Sequence, residues 1–181
     1  MAQAETHHTL QVPKFDTPTS VLIVVSPYYK DIADNLVAGA KSAIETSGAM
    51  ADLIEVPGAL EIPTAIKLAS GAYDGFVALG CIIRGETTHY DTVCNDSSRA
   101  LSMMGLDKIC IGNGILTVEN RTQAEVRADH AGQNKGGGAA EAALHLIALK
   151  RHFTKGGAGR IAPSSENILM AGKAYRDQGT E

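Results

Sequence analysis

Cysteine is scarce. Cys81, Cys94 and Cys110 are an odd number with no CxxC spacing, which argues against a disulfide framework or zinc ribbon and fits a reducing compartment. No apolar run approaches the ~18 residues of a membrane span. The polar N-terminus also lacks a basic-then-apolar signal pattern. Positive charge is in short supply too: the formal net charge is −4 and no Lys/Arg stripe stands out, which argues against a nucleic-acid partner. What remains is 181 residues, 44% apolar and 20% charged. That is enough for one compact domain with a real core, expected to be soluble and cytoplasmic.

Residues 1–19 are polar and interrupted by Pro13 and Pro18, and read as a flexible arm. The adjacent His7 and His8 fit solvent exposure better than metal ligation. From Ser20 the pattern becomes regular. VLIVVS is a short β-branched run, the mark of a strand covered on both faces. The next stretch, 31–48, places Ile32, Leu36, Ala40 and Ile44 on one helical face, with Gly48 as its stop. A second strand is expected at Met50–Val56, then a helix from Leu60 to Ser70 with Pro63 tolerable only in its first turn. GFVALGCII is the third strand and His89–Met104 the next helix. KICIGNGIL is the fourth strand, and helices at Gln123–His130 and Ala139–His152 follow, the last after a Gly-rich joint. Residues 154–181 read as a disordered tail in which Ile168, Leu169 and Met170 are spaced for one helical turn.

Strands alternating with helices imply parallel strands joined by right-handed crossovers. The expected fold is α/β: a three-layer α/β/α sandwich, flavodoxin-like, with a four-stranded parallel sheet. Such folds bind ligands beyond the C-terminal ends of their strands.

Four segments lie there. After the first strand comes the pair Tyr28-Tyr29, notable when only 4% of the chain is aromatic. A Tyr at a strand end suits stacking on a flat heterocycle, or equally a core or interface role. After the second comes VPGALEIP, where a helix begins at once and Glu61 can accept hydrogen bonds from hydroxyls or simply complement the helix dipole. The third is GCIIRGETTH. Glu86 and Thr87 offer N–H groups at a helix start, where an anion is stabilised. His89 stands just behind, and a helix N-terminus disfavours the protonated imidazole, which suits a proton acceptor. Gly112-Asn113-Gly114, placed after the fourth strand, is flexible enough for close backbone approach. Further on, Arg127 suits bidentate phosphate binding and Lys135 a point charge, although each taken singly is more often a solvated cation.

The usual rivals lack support. GNGILT is not a dinucleotide fingerprint, no Walker lysine follows a glycine loop, and no GxSxG elbow occurs. His145 and His152 lie seven apart without a ligand pattern, so no metal is expected.

Taken together, VPGALEIP, LGCIIRGETTHYDTVCN, ILTVEN and RADHAGQNKGG resemble the lumazine synthase family in content and order, over residues 20–153. The resemblance implies a homo-oligomer built on pentamers, with active sites between adjacent subunits and no cofactor. It implies the reaction: 5-amino-6-(D-ribitylamino)uracil condenses with 3,4-dihydroxy-2-butanone 4-phosphate to 6,7-dimethyl-8-ribityllumazine, phosphate and water.

It also implies site roles. Tyr28 would stack on the pyrimidine, Ala59 and Glu61 would meet the ribityl chain, and Cys81, Ile82 and Ile83 would line the ring pocket. Glu86 and Thr87 would hold the butanone phosphate, and His89 would move protons. Asn113, Arg127 and Lys135 would come from the neighbouring subunit, with Arg127 on phosphate. Tyr28 stands where Phe or Trp is more usual, and Asn113 where an apolar aromatic is common. Those two departures motivate an alternative, a family member that binds flavin or lumazine without turnover. A purely structural shell protein is a third reading.

Overall fold

The protein is described here from a computed structural model, which covers residues 10–155. Four parallel strands, β1 (Ser20–Val25), β2 (Met50–Glu55), β3 (Gly75–Ile83) and β4 (Ile111–Val118), form one sheet in the order β2-β1-β3-β4. Between them run α1 (Lys30–Thr46), α2 (Glu61–Ala69) and α3 (His89–Leu106), and α4 (Arg121–Ala128) and α5 (Lys135–Lys155) follow. The three-layer α/β/α sandwich expected from the sequence is the one observed.

Period-two alternation splits the sheet's side chains between two cores. Val21, Ile23 and Val25 of β1 point to one face, where Leu36, Ala40 and Ile44 of α1 meet Ala140, Leu144 and Ile147 of α5. Leu22 and Val24 point to the other, against Ile62 and Ile66 of α2 and Leu101 and Met104 of α3. Every residue of VLIVV in β1 is buried, as a central parallel strand requires. Pro63 sits in the first turn of α2, where its missing N–H costs no helical bond.

Three segments differ from the sequence reading. Gly112, Asn113 and Gly114 do not follow β4 but lie within it. The even positions of β4 face α5 so closely that a Cβ on Gly112 would collide with the Ala139 carbonyl. The second difference is α5, which starts at Lys135 rather than Ala139 and absorbs the Gly-rich segment. Asn134, at φ 46°, opens it and accepts the Gly137 N–H at 3.0 Å. A Cβ on Gly136 would strike the Leu36 carbonyl of α1. Gly136 thus serves close helix packing, and Gly137 makes room for the Asn134 side chain. Asn120 caps α4 by accepting the Gln123 N–H at 3.0 Å, so α4 starts two residues before Gln123, at Arg121.

The part of the arm from Leu10 onward runs without regular structure against this body. Phe15 donates its N–H to Ser47 O at 2.9 Å, and Val12 and Phe15 pack on the core. Arg151 of α5 reaches Thr17, Thr19, the Pro18 carbonyl and Asp74. Burial raises the Asp74 carboxyl, but the Ser20 N–H and the Arg151 guanidinium outweigh it and hold the group below the usual carboxylate range. His7 and His8, and the turn suggested at Ile168–Met170, lie outside the described residues. Among the described residues, no helix is long and apolar enough to cross a membrane.

Candidate active site

The strand order changes direction between β1, whose connection leads outward to β2, and β3, on its other side. Ligands in open α/β sheets sit at such switch points, and a cavity of about 490 Å³ opens there. Its floor is Ser26, at the end of β1, and Cys81–Ile83, at the end of β3. One wall is the 57–61 turn into α2, and the rim carries Tyr28, Tyr29 and His89. The cavity thus gathers seven of the residues singled out in the sequence: Tyr28, Ala59 and Glu61, Cys81, Ile82 and Ile83, and His89.

The chemistry of this cavity is that of a slot with polar ends. Ala59 and Ile82 are buried and pack with Val93 of α3. Cys81 lines the cavity, and burial pushes its thiol up to about 11, which keeps it protonated near neutral pH. The Glu61 carboxylate folds back over the start of its own helix, where a Cβ on Gly58 would meet Oε2 at 2.7 Å. Tyr28 is 75% exposed and meets the ring of Tyr29 edge-on, with centroids 5.1 Å apart at 76°. Tyr29 is anchored by packing on the core, and burial, with Tyr28 adding to it, raises its phenol.

Glu86 and Thr87 lie in the exposed turn between β3 and α3 and line neither this cavity nor the next. Thr87 Oγ1 accepts the His89 N–H at 3.4 Å. His89 is the first residue of α3.

A second cavity, of about 440 Å³, holds the remaining three predicted residues, Asn113, Arg127 and Lys135. It lies along the free edge of β4, beside the start of α5. Asn113 does not project freely: its Oδ1 accepts the Ile115 N–H at 3.0 Å, occupying a donor on the edge strand. Arg127 is half-buried and donates to the Gln123 carbonyl at 3.2 Å. No residue lines both cavities.

Tyr29, Ser26 and Val93 line the first cavity without having been singled out. The signal for Tyr29 was its place in the Tyr-Tyr pair; nothing in the sequence marked the other two.

Residues 18–151 match the family described as 6,7-dimethyl-8-ribityllumazine synthase. A protein of that name from Jannaschia sp. (strain CCS1) is 57% identical over 146 residues, 80% of this chain and 82% of the relative. The one from Methylorubrum populi is 56% identical, over 74% of this chain and 83% of its own length. The one from Bartonella tribocorum is 56% identical, over 74% and 91%. With a family match across most of its length and the cavity at the expected switch point, the chain belongs to the 6,7-dimethyl-8-ribityllumazine synthase family.

Proposed function

We propose that the chain is a transferase condensing 5-amino-6-(D-ribitylamino)uracil with 3,4-dihydroxy-2-butanone 4-phosphate to 6,7-dimethyl-8-ribityllumazine, phosphate and water, the penultimate step of riboflavin biosynthesis. Residues 20–153 are the catalytic domain. The pyrimidine stacks on Tyr28 above Cys81, Ile82 and Ile83, with its ribityl chain toward Ala59 and Glu61. The phosphate is held by the Glu86–Thr87 turn together with Arg127 and Lys135 of a neighbouring copy, beside Asn113.

The amine attacks the ketone and one water leaves to give an imine; elimination of phosphate leaves an enol that tautomerises to a carbonyl, and the ribityl-bearing nitrogen closes the ring on that carbonyl with loss of a second water. His89 moves protons in these steps, a role typically worth ~10²–10⁴-fold. Arg127 and the turn stabilise the departing phosphate, and stacking aligns the amine. No electrons are transferred overall, so the reaction calls for no redox cofactor.

The observation that carries this reading is the division of the site into two cavities on one chain, one with the ring-binding wall and His89, the other with the two cations. Head-to-tail contact would bring the cations of one copy to the ring pocket of the next, and such contacts close into a ring. Apolar side chains left bare on β2 (Met50, Leu53, Ile54) and near the ends of α2 and α3 (Leu68, Met103, Leu106) supply surface for that contact. The assembly is a cytoplasmic homo-oligomer, a pentamer or a pair of them.

The test mixes protein with both substrates and follows lumazine fluorescence against a no-enzyme control, because imine chemistry of this kind runs slowly unaided. Acceleration that saturates in both substrates supports the reading. Tight flavin binding without acceleration selects the non-turnover alternative.

A further inference from the structure

We propose that Arg84 is a positioning residue, whose guanidinium braces the 85–88 turn and the start of α3 against the end of β4 and so fixes His89 at the cavity. Arg84 directly follows β3, and its own N–H donates to Val118 O at 3.0 Å, extending the β3–β4 ladder by one bond. From that fixed backbone the side chain reaches three groups. Nε donates to Glu119 Oε2 at 2.7 Å, NH1 donates to Asp91 Oδ1 at 3.3 Å, and the guanidinium carbon lies 4.0 Å from the centre of the Tyr90 ring. Tyr90 and Asp91 are the two residues after His89, so one side chain ties both ends of the turn together.

The turn has little else to hold it. Residues 84–89 are exposed, a Cβ on Gly85 would meet nothing within 4 Å, and the turn's side-chain tether is the long Thr87–His89 bond. The ion pairs are exposed as well, at 41% for Arg84 against 54% and 58% for its partners, so they add little to global stability. Their effect is local order. A planar, forked cation holds two carboxylates and a ring face in one fixed geometry, which a lysine, a point charge on a flexible stem, does not reproduce. The two carboxylates take Nε–H and one NH1 donor of the five that a guanidinium carries.

The proposal rests on the reading of His89 as the proton-transfer residue, and the experiment separates the two. Steady-state kinetics are measured for Arg84→Lys and Glu119→Gln, alone and combined with His89→Ala, with sedimentation confirming an unchanged assembly. Arg84→Lys is expected to lower kcat about tenfold or more, since small misplacements near the chemistry cost rate steeply. KM for the pyrimidine stays within about twofold, and Glu119→Gln moves kcat in the same direction. In the His89→Ala background neither substitution lowers kcat further, because residues acting through one another are non-additive.

A wild-type kcat for Arg84→Lys overturns the proposal. So does an equal loss in both backgrounds, or a loss that Glu119→Gln does not share, either of which would have Arg84 act on substrate directly. A silent His89→Ala removes the His89 reading and this proposal with it.

Discussion

Gly112 of β4 lies against the Ala139 carbonyl of α5 with no room for a methyl group between them. That approach lets α5 lie close along the edge strand and brings Lys135 and Arg127 to Asn113. Gly112→Ala therefore forces β4 and α5 apart, and overpacking of this kind costs about 1–3 kcal/mol. Gly105, near the end of α3, has nothing within 4 Å of its missing Cβ. Gly105→Ala should be neutral or stabilising by up to about 1 kcal/mol, since glycine in a helix is disfavoured. Urea unfolding of the two variants tests the contrast; equal midpoints would mean that the close approach does not constrain the fold.

Tyr28→Trp should keep turnover and gain a signal, because the chain has no tryptophan of its own. Adding the ribitylaminouracil should change its emission saturably. Tyr28→Ala should raise KM for the pyrimidine up to about tenfold, the scale of an aromatic stacking contact. A raised KM for the butanone phosphate alone would move Tyr28 out of the ring pocket.

The Cys81 thiol, raised by burial to about 11, should be almost wholly protonated at neutral pH. At about pH 8 its thiolate is on the order of one in a thousand. Iodoacetamide followed by peptide mapping should leave Cys81 unmodified in the folded protein and label it in urea. Rapid labelling without urea would contradict the wall-like role.

Asp74 titrates below its unfolded value, near 3.9. Its contribution to stability is therefore complete above that value and lost as pH falls through the folded one. Stability should therefore fall as pH is lowered from about 5 through that folded value, and Asp74→Asn should flatten the fall. An identical pH slope in the variant would show that the clasp of Asp74 and Arg151 on the arm contributes nothing measurable.

The sheet and the first three helices were legible because burial leaves a pattern in sequence. VLIVV is apolar throughout since both its faces are covered, and Ile32, Leu36, Ala40 and Ile44 recur at helical spacing. The start of α5 was not legible. Three glycines read locally as a joint, and only the nearness of the Leu36 carbonyl to Gly136 and of the Asn134 side chain to Gly137 explains two of them as packing residues. Gly112-Asn113-Gly114 misled for the same reason. The motif residues were visible, and their division into two groups followed from the family resemblance and from no local pattern, because β4 and the start of α5 meet only through the tertiary fold. The Arg84 brace joins Asp91 to Glu119 across the 85–88 turn, and no local pattern marks such a pairing.

In the proposed assembly each active site takes its ring pocket from one subunit and its cations from the next. His89→Ala and Arg127→Ala disable different cavities, so each variant alone should be nearly inactive in forming lumazine. Co-expressed in equal amounts, they should assemble with about a quarter of the interfaces carrying both intact halves. The measurement is lumazine formation by the mixed assembly. Recovery to about a quarter of wild-type activity is the predicted result; a mixture no more active than its parents would show that each site is built within a single chain.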